Sequence, residues 1–251
     1  MEINKIHQGD CLELMKQIED KSVDMILCDL PYGVTQNNWD SVISLSLLWK
    51  EYERIIKDNG AIVLTAQDKF SAKLMLSNER LHKYNLIWDK KLTSGFLNAN
   101  RMPLRVHEDI LVFYKNLPTY NPQKVKGKPN HSKGNMITDE NNNYGKYGKM
   151  DNKDILGDMK HPKSIISFQK PHPSNCLHPT QKPLKLFEWL IKTYTKEGDL
   201  VLDNCIGSGT TAVACKQTGR NFIGIEKEQK YVDIANKRLE QSNLLHLGVK
   251  K

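Results

Sequence analysis

The sequence predicts an α/β fold with a mostly parallel sheet of seven strands. Apolar segments typical of buried strands alternate along the chain with segments whose apolar residues have helical spacing. Near the C-terminus one strand runs through a glycine-rich turn directly into a helix, which is typical of a nucleotide-binding crossover. The chain has 251 residues, 39% of them apolar, and is therefore long enough to bury one sizeable core.

The first 115 residues supply five of the predicted strands. Apolar residues at positions 11, 12, 14, 15 and 18 fall on one face of a helix, whereas residues 23–28 read as a buried strand. A second helix is expected to stop at Asn59-Gly60. The predicted strands cover residues 3–8, 23–28, 61–66, 84–88 and 109–114, and the predicted helices cover residues 11–18, 44–56 and 70–76. We expect the last two strands at one end of the sheet.

Residues 116–177 differ in composition from the rest of the chain. Gly, Asn, Pro and Lys dominate, and residues 141–149 follow neither a helical nor a strand period. Between residues 115 and 170 there are 11 Lys against 5 Asp or Glu. We predict a loop-rich insertion at 116–177 between two halves of one domain, 1–115 and 178–251. A solvated linker and a surface for a polyanion both remain open at this point.

Regular structure resumes after residue 178. Pro183 suits the first turn of a helix that runs to about residue 194. The pattern then predicts a strand at 200–202, a helix at 210–217, a strand at 221–225 and a helix at 231–243.

Composition excludes several classes of protein. No charge-free apolar stretch approaches the roughly 20 residues that a membrane-spanning helix needs, and the N-terminus lacks the apolar core of a secretory signal, so we expect a cytoplasmic protein. Five cysteines without a Cys-x-x-Cys pair indicate reduced thiols rather than disulfides or zinc. The net charge of +8 and the pI near 9.1 suit a polyanionic partner, although a basic soluble enzyme would also have them.

The glycine-rich turn carries the first candidate site. Strand 200–202 leads into residues 203–209, where Gly207 and Gly209 permit close approach of a ligand and the following helix directs its free N–H groups to it. Glu226, at the end of the next strand, is placed to hold a ribose diol. NAD would fit this turn alone, but only about 40 residues follow, so one nucleoside is favoured over a dinucleotide. Glycines that serve only a tight turn are the alternative.

A second candidate site follows the strand at 23–28. Asp29 comes at the carboxyl end of this strand, the edge where open α/β sheets bind ligands. Leu30 precedes Pro31 and is therefore held extended, which leaves its carbonyl free to accept a hydrogen bond. The carboxylate and the carbonyl form a pair of acceptors for an NH₂ group, and Tyr32 offers a flat face for a base. An ordinary turn with a capping Asp is the alternative.

Together these residues resemble the beta-class, circularly permuted, S-adenosylmethionine-dependent DNA amino-methyltransferases of the N6-adenine/N4-cytosine family. Asp29-Leu30-Pro31-Tyr32 is similar to the family's Asp-Pro-Pro-Tyr, and residues 203–211 are similar to its Asp-Pro-Phe-x-Gly-x-Gly-Thr-Thr loop. The match covers roughly residues 1–115 and 178–240. It implies a Rossmann-like fold in which 116–177 recognises the target. Leu30, Asn204 and Cys205 depart from the family pattern.

The resemblance implies roles for individual residues. Asp10 would accept from the cofactor adenine, Lys182 would lie near its methionine carboxylate, Asp203 would hold its ammonium group and Glu226 its ribose hydroxyls. Cys205 would pack against the cofactor as a small apolar group. The implied catalytic residues are Asp29, Leu30, Pro31 and Tyr32, and the implied cofactor-binding residues are Asp10, Cys11, Asp29, Lys182, Asp203, Cys205, Gly207, Ser208, Gly209, Thr210, Thr211 and Glu226.

The expected reaction is methyl transfer from S-adenosylmethionine to adenine N6 in double-stranded DNA, with the base flipped out and without a metal. Asp at position 29 favours adenine; cytosine N4, an RNA adenine substrate and a non-catalytic DNA-binding module are the alternatives. A homodimer and a cognate restriction enzyme are compatible with the sequence, which specifies neither. The candidate DNA-contacting residues are Arg101, Arg105, Lys124, Lys126, Lys128, Lys146 and Lys149.

Overall fold

The computed structural model describes residues 1–33, 43–129, 157–170 and 181–246, and the backbone of two short strands between 140 and 146. The chain divides into two compact units: Met1–Asn121 with Ser164–Lys251, and Pro122–Lys163. Among the described residues, no helix is long and apolar enough to cross a membrane.

Twelve strands and six α-helices lie in the described parts of the chain. The strands are β1 (Lys5–Gln8), β2 (Val23–Cys28), β3 (Ile56–Ala66), β4 (His82–Ser94), β5 (Arg105–Phe113), β6 (Val125–Lys126), β7 (Glu140–Asn141), β8 (Gly145–Lys146), β9 (Met159–Lys160), β10 (Ile165–Ser167), β11 (Leu200–Asp203) and β12 (Asn221–Glu226). The helices are α1 (Cys11–Met15), α2 (Leu45–Ile55), α3 (Asp68–Ser77), α4 (Leu184–Tyr194), α5 (Thr210–Gln217) and α6 (Gln229–His246). A short 3₁₀ helix covers Phe96–Asn98.

The first unit is built on an eight-stranded sheet with the order β1-β12-β11-β2-β3-β5-β4-β10. All neighbouring pairs are parallel except the two that involve β5, so the predicted α/β class with a mostly parallel sheet is confirmed. The predicted number of seven strands is one too few. The additional strand is β10, three residues with Ile166 opposite Trp88, and a piece this short carries no readable period in the sequence.

Both faces of the sheet are covered by helices. In β2, Met25 and Leu27 belong to one buried cluster and Ile26 and Cys28 to the other, because successive side chains of a strand point to opposite faces. Residues of α4 and α5 complete the first cluster, and residues of α1, α2 and α3 complete the second. A strand buried on both faces explains why β2 reads as a continuous apolar run.

The register of the parallel strands brings the candidate site residues to one edge. Asp203 pairs with Gly224 and Gln8 pairs with Glu226, so β1, β11 and β12 end at a similar level. Strand β2 pairs with β11 in the same direction, and Asp29 follows its last residue. The carboxyl ends of these four strands therefore form the floor of a site.

The second unit lies within the predicted insertion at 116–177. Its described strands pair as β6 with β9 and β7 with β8, all antiparallel. Residues 164–170, which we expected in the insertion, belong to the first unit. The target-recognition role of the insertion stays a prediction.

Candidate active site

A cavity of about 510 Å³ opens at the carboxyl edge of the sheet. This volume is in the range of cofactor and ligand sites. The cavity brings together most residues that the sequence singled out. Those that line it are Asp10, Cys11, Asp29, Leu30, Pro31, Tyr32, Arg105, Lys182, Asp203, Cys205, Gly207, Ser208, Thr210, Thr211 and Glu226.

Asp29 is held by donors from three different parts of the chain. Its Oδ1 accepts hydrogen bonds from the Tyr32 hydroxyl at 2.9 Å and from the Thr65 hydroxyl. Its Oδ2 accepts from Lys182 Nζ at 2.8 Å. These contacts fix the orientation of the carboxylate at the cavity wall, and hydrogen bonds from a charged donor are the stronger kind.

Lys182 belongs to a buried set of alternating charges. Its ammonium lies 3.2 Å from Glu108 Oε2 as an ion pair without hydrogen-bond geometry, and Lys90 Nζ donates to Glu108 Oε1 at 3.3 Å. Burial alone would raise the pKa of Glu108, but Lys182 and Lys90 outweigh it and hold this pKa below its ordinary value. Asp29 and the other neighbouring groups likewise raise the pKa of Lys182, despite its burial. Both groups are therefore charged at neutral pH.

The contacts of Lys182 are with two carboxylates. Its ammonium is directed to Asp29 and Glu108, and the implied place near the methionine carboxylate of the cofactor stays a prediction. The ammonium also lies 5.6 Å from the centre of the Tyr32 ring. Lys182 thus connects the segment before α4 to the catalytic end of β2.

Tyr32 contacts Asp29 through its hydroxyl and Phe70 through its ring. The two rings stack with centres 5.1 Å apart and planes inclined by 29°. Burial and the adjacent Asp29 carboxylate raise the pKa of Tyr32 well above its ordinary value, so the phenol stays neutral. The Tyr32 ring is therefore held between the stacked Phe70 ring and the nearby Lys182 ammonium.

Leu30 has a buried side chain and an available backbone acceptor. The side chain is 3% exposed and packs in the second core cluster, so the departure from proline is accommodated by apolar contacts. Among the described residues, none donates a hydrogen bond to its carbonyl oxygen. An acceptor pair from Asp29 and Leu30 is therefore present at the cavity wall.

Asp203 is the buried carboxylate of the glycine loop. It accepts from the Cys205 N–H at 3.1 Å and from the Thr211 hydroxyl. Burial raises the pKa of Asp203 to about 7, because these two hydrogen bonds only partly replace lost hydration. A carboxylate in this state gains from a cationic partner.

Two further carboxylates line the cavity at other strand ends. Glu226 accepts from the Gly207 N–H and the Glu228 N–H, both at 2.9 Å, and burial raises its pKa. Asp10 caps α1 and accepts from the Leu12 N–H at 2.9 Å. Together with Asp29, the cavity therefore presents carboxylates at the ends of four strands, and such acceptors suit amino and hydroxyl groups.

Gly209 has a packing role that the sequence did not predict. Its φ is +81°, and an added Cβ would lie 2.8 Å from Cβ of Ala235 in α6. It does not line the cavity in the described part of the chain. A glycine is needed here for the left-handed backbone and for close packing of the last helix, and its implied contact with the cofactor stays a prediction. Gly207, with a φ of +52°, does line the cavity.

The departure at Asn204 has a structural explanation. This side chain is 2% exposed, and the Tyr52 hydroxyl of α2 donates to its Oδ1 at 2.5 Å. Its Nδ2 donates to Cys205 Sγ at 3.6 Å. The buried amide is thereby satisfied, and Cys205 remains at the cavity wall.

The candidate DNA-contacting residues are distributed over both units. Arg105 lines the cavity and pairs with Asp68 at 2.9 Å, and Arg101 is exposed on the loop between β4 and β5. Lys126 and Lys128 are exposed in the second unit, where Lys124 is half-buried and Lys126 lies 3.7 Å from Asp158. Lys149 and the side chain of Lys146 lie outside the described residues.

Several site residues were missed by sequence reasoning. Thr65 lies in a strand where the pattern predicted only a core, whereas Lys90 and Glu108 lie just outside the predicted strands at 84–88 and 109–114 and within the longer β4 and β5. Arg238 of α6 donates to the Ser208 carbonyl at 2.5 Å and so braces the glycine loop. The sequence did contain a signal for Lys90 and Glu108, because both stand next to apolar strand segments. Charged residues in such positions are rarely buried unless they are paired, so a buried ion pair was predictable there.

Fold and cavity together are typical of a nucleoside-cofactor-dependent enzyme of the Rossmann-like α/β class, with Asp29 and Leu30 beside the glycine loop in one cavity. A family model described as DNA methylase, N6_N4_Mtase, matches residues 23–237. The chain belongs to the S-adenosylmethionine-dependent N6-adenine/N4-cytosine DNA methyltransferase family. It is a DNA methyltransferase.

Individual relatives cover nearly the whole chain. It is 31% identical to the type II methyltransferase M1.MboII of Moraxella bovis, over 96% of this chain and 98% of the relative. It is 30% identical to the type II methyltransferase M.HinfI of Haemophilus influenzae, over 95% of this chain and 69% of the relative.

Solved structures have the same fold. The crystal structure of the M1.HpyAVI–SAM complex matches with a TM-score of 0.62 and 27% identity, over 93% of this chain and 98% of that chain. The cytosine-N4-specific PvuII DNA methyltransferase matches with a TM-score of 0.67 and 16% identity, over 97% and 93% of the two chains, a likeness of fold alone. S-adenosylmethionine is the cofactor of the family, and Asp10, Asp203 and Glu226 are acceptors of the kind that its amino and hydroxyl groups require.

Proposed function

We propose that this methyltransferase acts on adenine N6 in double-stranded DNA and that Asp29 and the Leu30 carbonyl hold the target amine. The observation that carries the proposal is the oriented Asp29 carboxylate beside an available carbonyl in the cavity that also contains Asp203 and Glu226. An aspartate rather than a serine at position 29 supports adenine over cytosine. The circularly permuted motif order is part of the same proposal.

Three carboxylates would hold the cofactor. Asp203, with a pKa of about 7, would take the ammonium group, Glu226 the ribose hydroxyls and Asp10 the adenine amine. When bound, S-adenosylmethionine supplies a methyl group on a sulfonium, which is an electrophile. Ser208, Thr210 and Thr211 are placed by the glycine loop to complete the polar wall.

The acceptor pair would act on the target nitrogen. The lone pair of an exocyclic amine is conjugated into the base and is a weak nucleophile. Two N–H bonds accepted by Asp29 Oδ2 and the Leu30 carbonyl favour a pyramidal nitrogen whose lone pair can attack. Hydrogen bonds to charged groups are worth roughly 1.5 to 3 kcal/mol, so the pair could supply about two decades of rate.

The base must leave the duplex for this contact. Flipping costs a few kcal/mol, and stacking of the base on the ring of Tyr32 would offset part of that cost. Positioning of the base between Tyr32 and the acceptor pair would supply much of the remaining rate enhancement.

Incorporation of labelled methyl from S-adenosylmethionine into duplex DNA, followed by analysis of the modified nucleoside, tests the proposal. N6-methyladenine is the expected product. N4-methylcytosine would instead support the cytosine-N4 alternative, and label in RNA alone would identify RNA as the substrate. The absence of label from every nucleic acid would refute the proposal. A cognate restriction enzyme, which the type II relatives support, would cleave unmethylated DNA and leave DNA methylated by this protein intact. Sedimentation of the purified protein tests for a homodimer.

A further inference from the structure

The loop between β4 and β5 stands at the rim of the active-site cavity. Its base is closed by the pairing of Ser94 with Arg105, reinforced by a hydrogen bond from Ser94 Oγ to the Arg105 carbonyl at 3.2 Å. Both residues line the cavity, as do Lys90 and Glu108 on the same two strands. A substrate that enters the cavity beside Ser94 and Arg105 would therefore lie next to this loop.

The tip of this loop presents apolar side chains to solvent. Phe96 is 80% exposed and Leu97 is 98% exposed, and Met102 is exposed as well. Apolar side chains that stay in water contribute no burial free energy to the stability of the fold. Exposed apolar groups clustered beside a functional cleft are typical of an interaction surface.

The backbone of the loop is ordered by its own hydrogen bonds. Gly95 has a φ of +86° and begins the 3₁₀ helix, where the Asn98 N–H donates to the Gly95 carbonyl at 2.9 Å. The Met102 N–H donates to the Asn98 carbonyl at 3.0 Å. Phe96 and Leu97 are consequently held at the tip, at a lower conformational entropy cost on binding than an open coil would have.

One exposed arginine lies near the tip. Residues 90–107 contain four Lys or Arg, and three of them, Lys90, Lys91 and Arg105, form ion pairs with carboxylates. Of the cations, Arg101 is exposed near the tip, and Arg105 is exposed for 45% of its side chain beside Asp68. An apolar tip beside the exposed Arg101, at the cavity of a DNA methyltransferase, fits a polyanion with an apolar interior, which is the chemistry of a nucleic acid duplex.

We propose that Phe96 and Leu97 insert into the DNA base stack beside the target base, while Arg101 contacts the adjacent phosphates. This inference rests on the proposed function, because insertion is useful only if a base leaves the stack. A vacated or unstacked step exposes apolar base faces to water, and two apolar side chains that cover them offset part of the flipping cost. The loop would thus favour the flipped state of the base, whereas Asp29 and the Leu30 carbonyl would promote the methyl-transfer step.

The test compares F96A/L97A with L117A, a control that removes a side chain of similar exposure, 77%, outside the loop. The probe is a duplex containing the methylated site found by the labelling experiment, with 2-aminopurine at the target position. At saturating protein and without cofactor, the fluorescence increase should fall about tenfold in F96A/L97A, a factor equivalent to about 1.4 kcal/mol. It should remain unchanged in L117A.

A second duplex, with the target base opposite an abasic site, supplies the decisive comparison. Its base leaves the stack at little cost, so F96A/L97A should flip it as well as the wild type does. Equal flipping of the paired duplex by wild type and F96A/L97A would overturn the proposal. An equal loss of flipping on both duplexes would also overturn it, because it would indicate a DNA contact that does not act on unstacking. A changed sedimentation coefficient with unchanged flipping would overturn it as well, because it would indicate an interface between two copies of the chain. A wild type that methylates no DNA would refute the proposed function, and with it this proposal.

Discussion

Lys182 Nζ lies 2.8 Å from Asp29 Oδ2, although 153 residues separate the two in the sequence. Lys182 comes just before α4, and Asp29 comes just after β2. The ion pair therefore connects the segment before α4 to the end of β2, across the candidate active site. Lys182 is 8% exposed, and a buried ammonium is tolerated only because Asp29 and Glu108 both face it.

Substitution D29A should separate chemistry from cofactor binding. Because Asp29 is assigned to the target amine, turnover should fall at least about a hundredfold, equivalent to about 2.7 kcal/mol, while the Kd for S-adenosylmethionine stays within a few fold. Methyl incorporation and calorimetric binding without DNA give the two values, with D58A, an exposed carboxylate, as the control. Collapse of cofactor affinity in D29A would contradict the assignment.

Substitution E108Q should destabilise the fold as well as the site. Lys90 is 1% exposed and would lose its charged partner, and removal of one member of a buried pair costs about 3 kcal/mol or more. The matched control is E13Q, which breaks the exposed pair between Glu13 and Lys16 and should cost less than about 1 kcal/mol. Urea unfolding measures both. Equal free energies of unfolding for E108Q and wild type would show that the buried charges contribute no net stability.

The raised pKa of Asp203 predicts pH-dependent cofactor binding. The pKa is about 7 in the folded protein against an ordinary 3.8, so the folded state binds more protons than the unfolded state between these values. The free energy of unfolding of the cofactor-free protein therefore falls as pH rises from about 4 to 7. Because the cofactor's ammonium needs the ionised carboxylate, its affinity should increase as pH rises from 6 to 8.

Substitution D203N removes this titration while keeping an acceptor for the Cys205 N–H. Without cofactor, the variant should be more stable than wild type at pH 8 and similar at pH 4. Its cofactor affinity should be weak and no longer follow the wild-type pH profile between 6 and 8. Thermal unfolding at two pH values and calorimetry provide the readouts, and an unchanged pH profile of binding would assign the dependence to another group.

Substitution G209A should disturb the glycine loop through α6. The left-handed φ costs about 1 to 2 kcal/mol for a residue with a Cβ, and that Cβ would also lie 2.8 Å from Cβ of Ala235. G198A is the control, since Gly198 has a φ of +85° with no atom within 4 Å of an added Cβ. We expect G209A to be less stable than G198A by about 1 to 3 kcal/mol and to bind the cofactor more weakly. Equal stability of the two variants would mean that α6 yields to the added methyl group.

Replacement of Lys124, Lys126 and Lys128 by Gln tests the basic second unit. Each lysine that neutralises a phosphate contributes about −0.9 to the slope of log affinity against log salt. The triple variant should therefore weaken DNA binding and flatten the slope by up to about 3 units, with cofactor affinity unchanged. An unaltered slope would show that these lysines do not contact the DNA backbone, and Arg101 and Arg105 would then be the next residues to replace.

The sequence by itself determined the fold class and the chain positions of the two motifs. The apolar run at 23–28 with its terminal Asp29, and the turn from Asp203 to Gly209, are local patterns whose meaning depends on only a few neighbouring residues. Strand direction followed from the alternation of strands and helices, and the mostly parallel sheet is confirmed. Parallel strands share one carboxyl edge, so the meeting of both motifs in one cavity was also predictable.

Only the tertiary structure decided which side chains face one another. Glu108 sits on an antiparallel strand beside β4, and its contacts with Lys90 and Lys182 depend on register and on a residue far along the chain. The role of Gly209 likewise depends on Ala235 in the last helix. Local pattern fixes the direction in which a side chain leaves its own element, but its partner is chosen by packing between elements, and no period in the sequence records that choice.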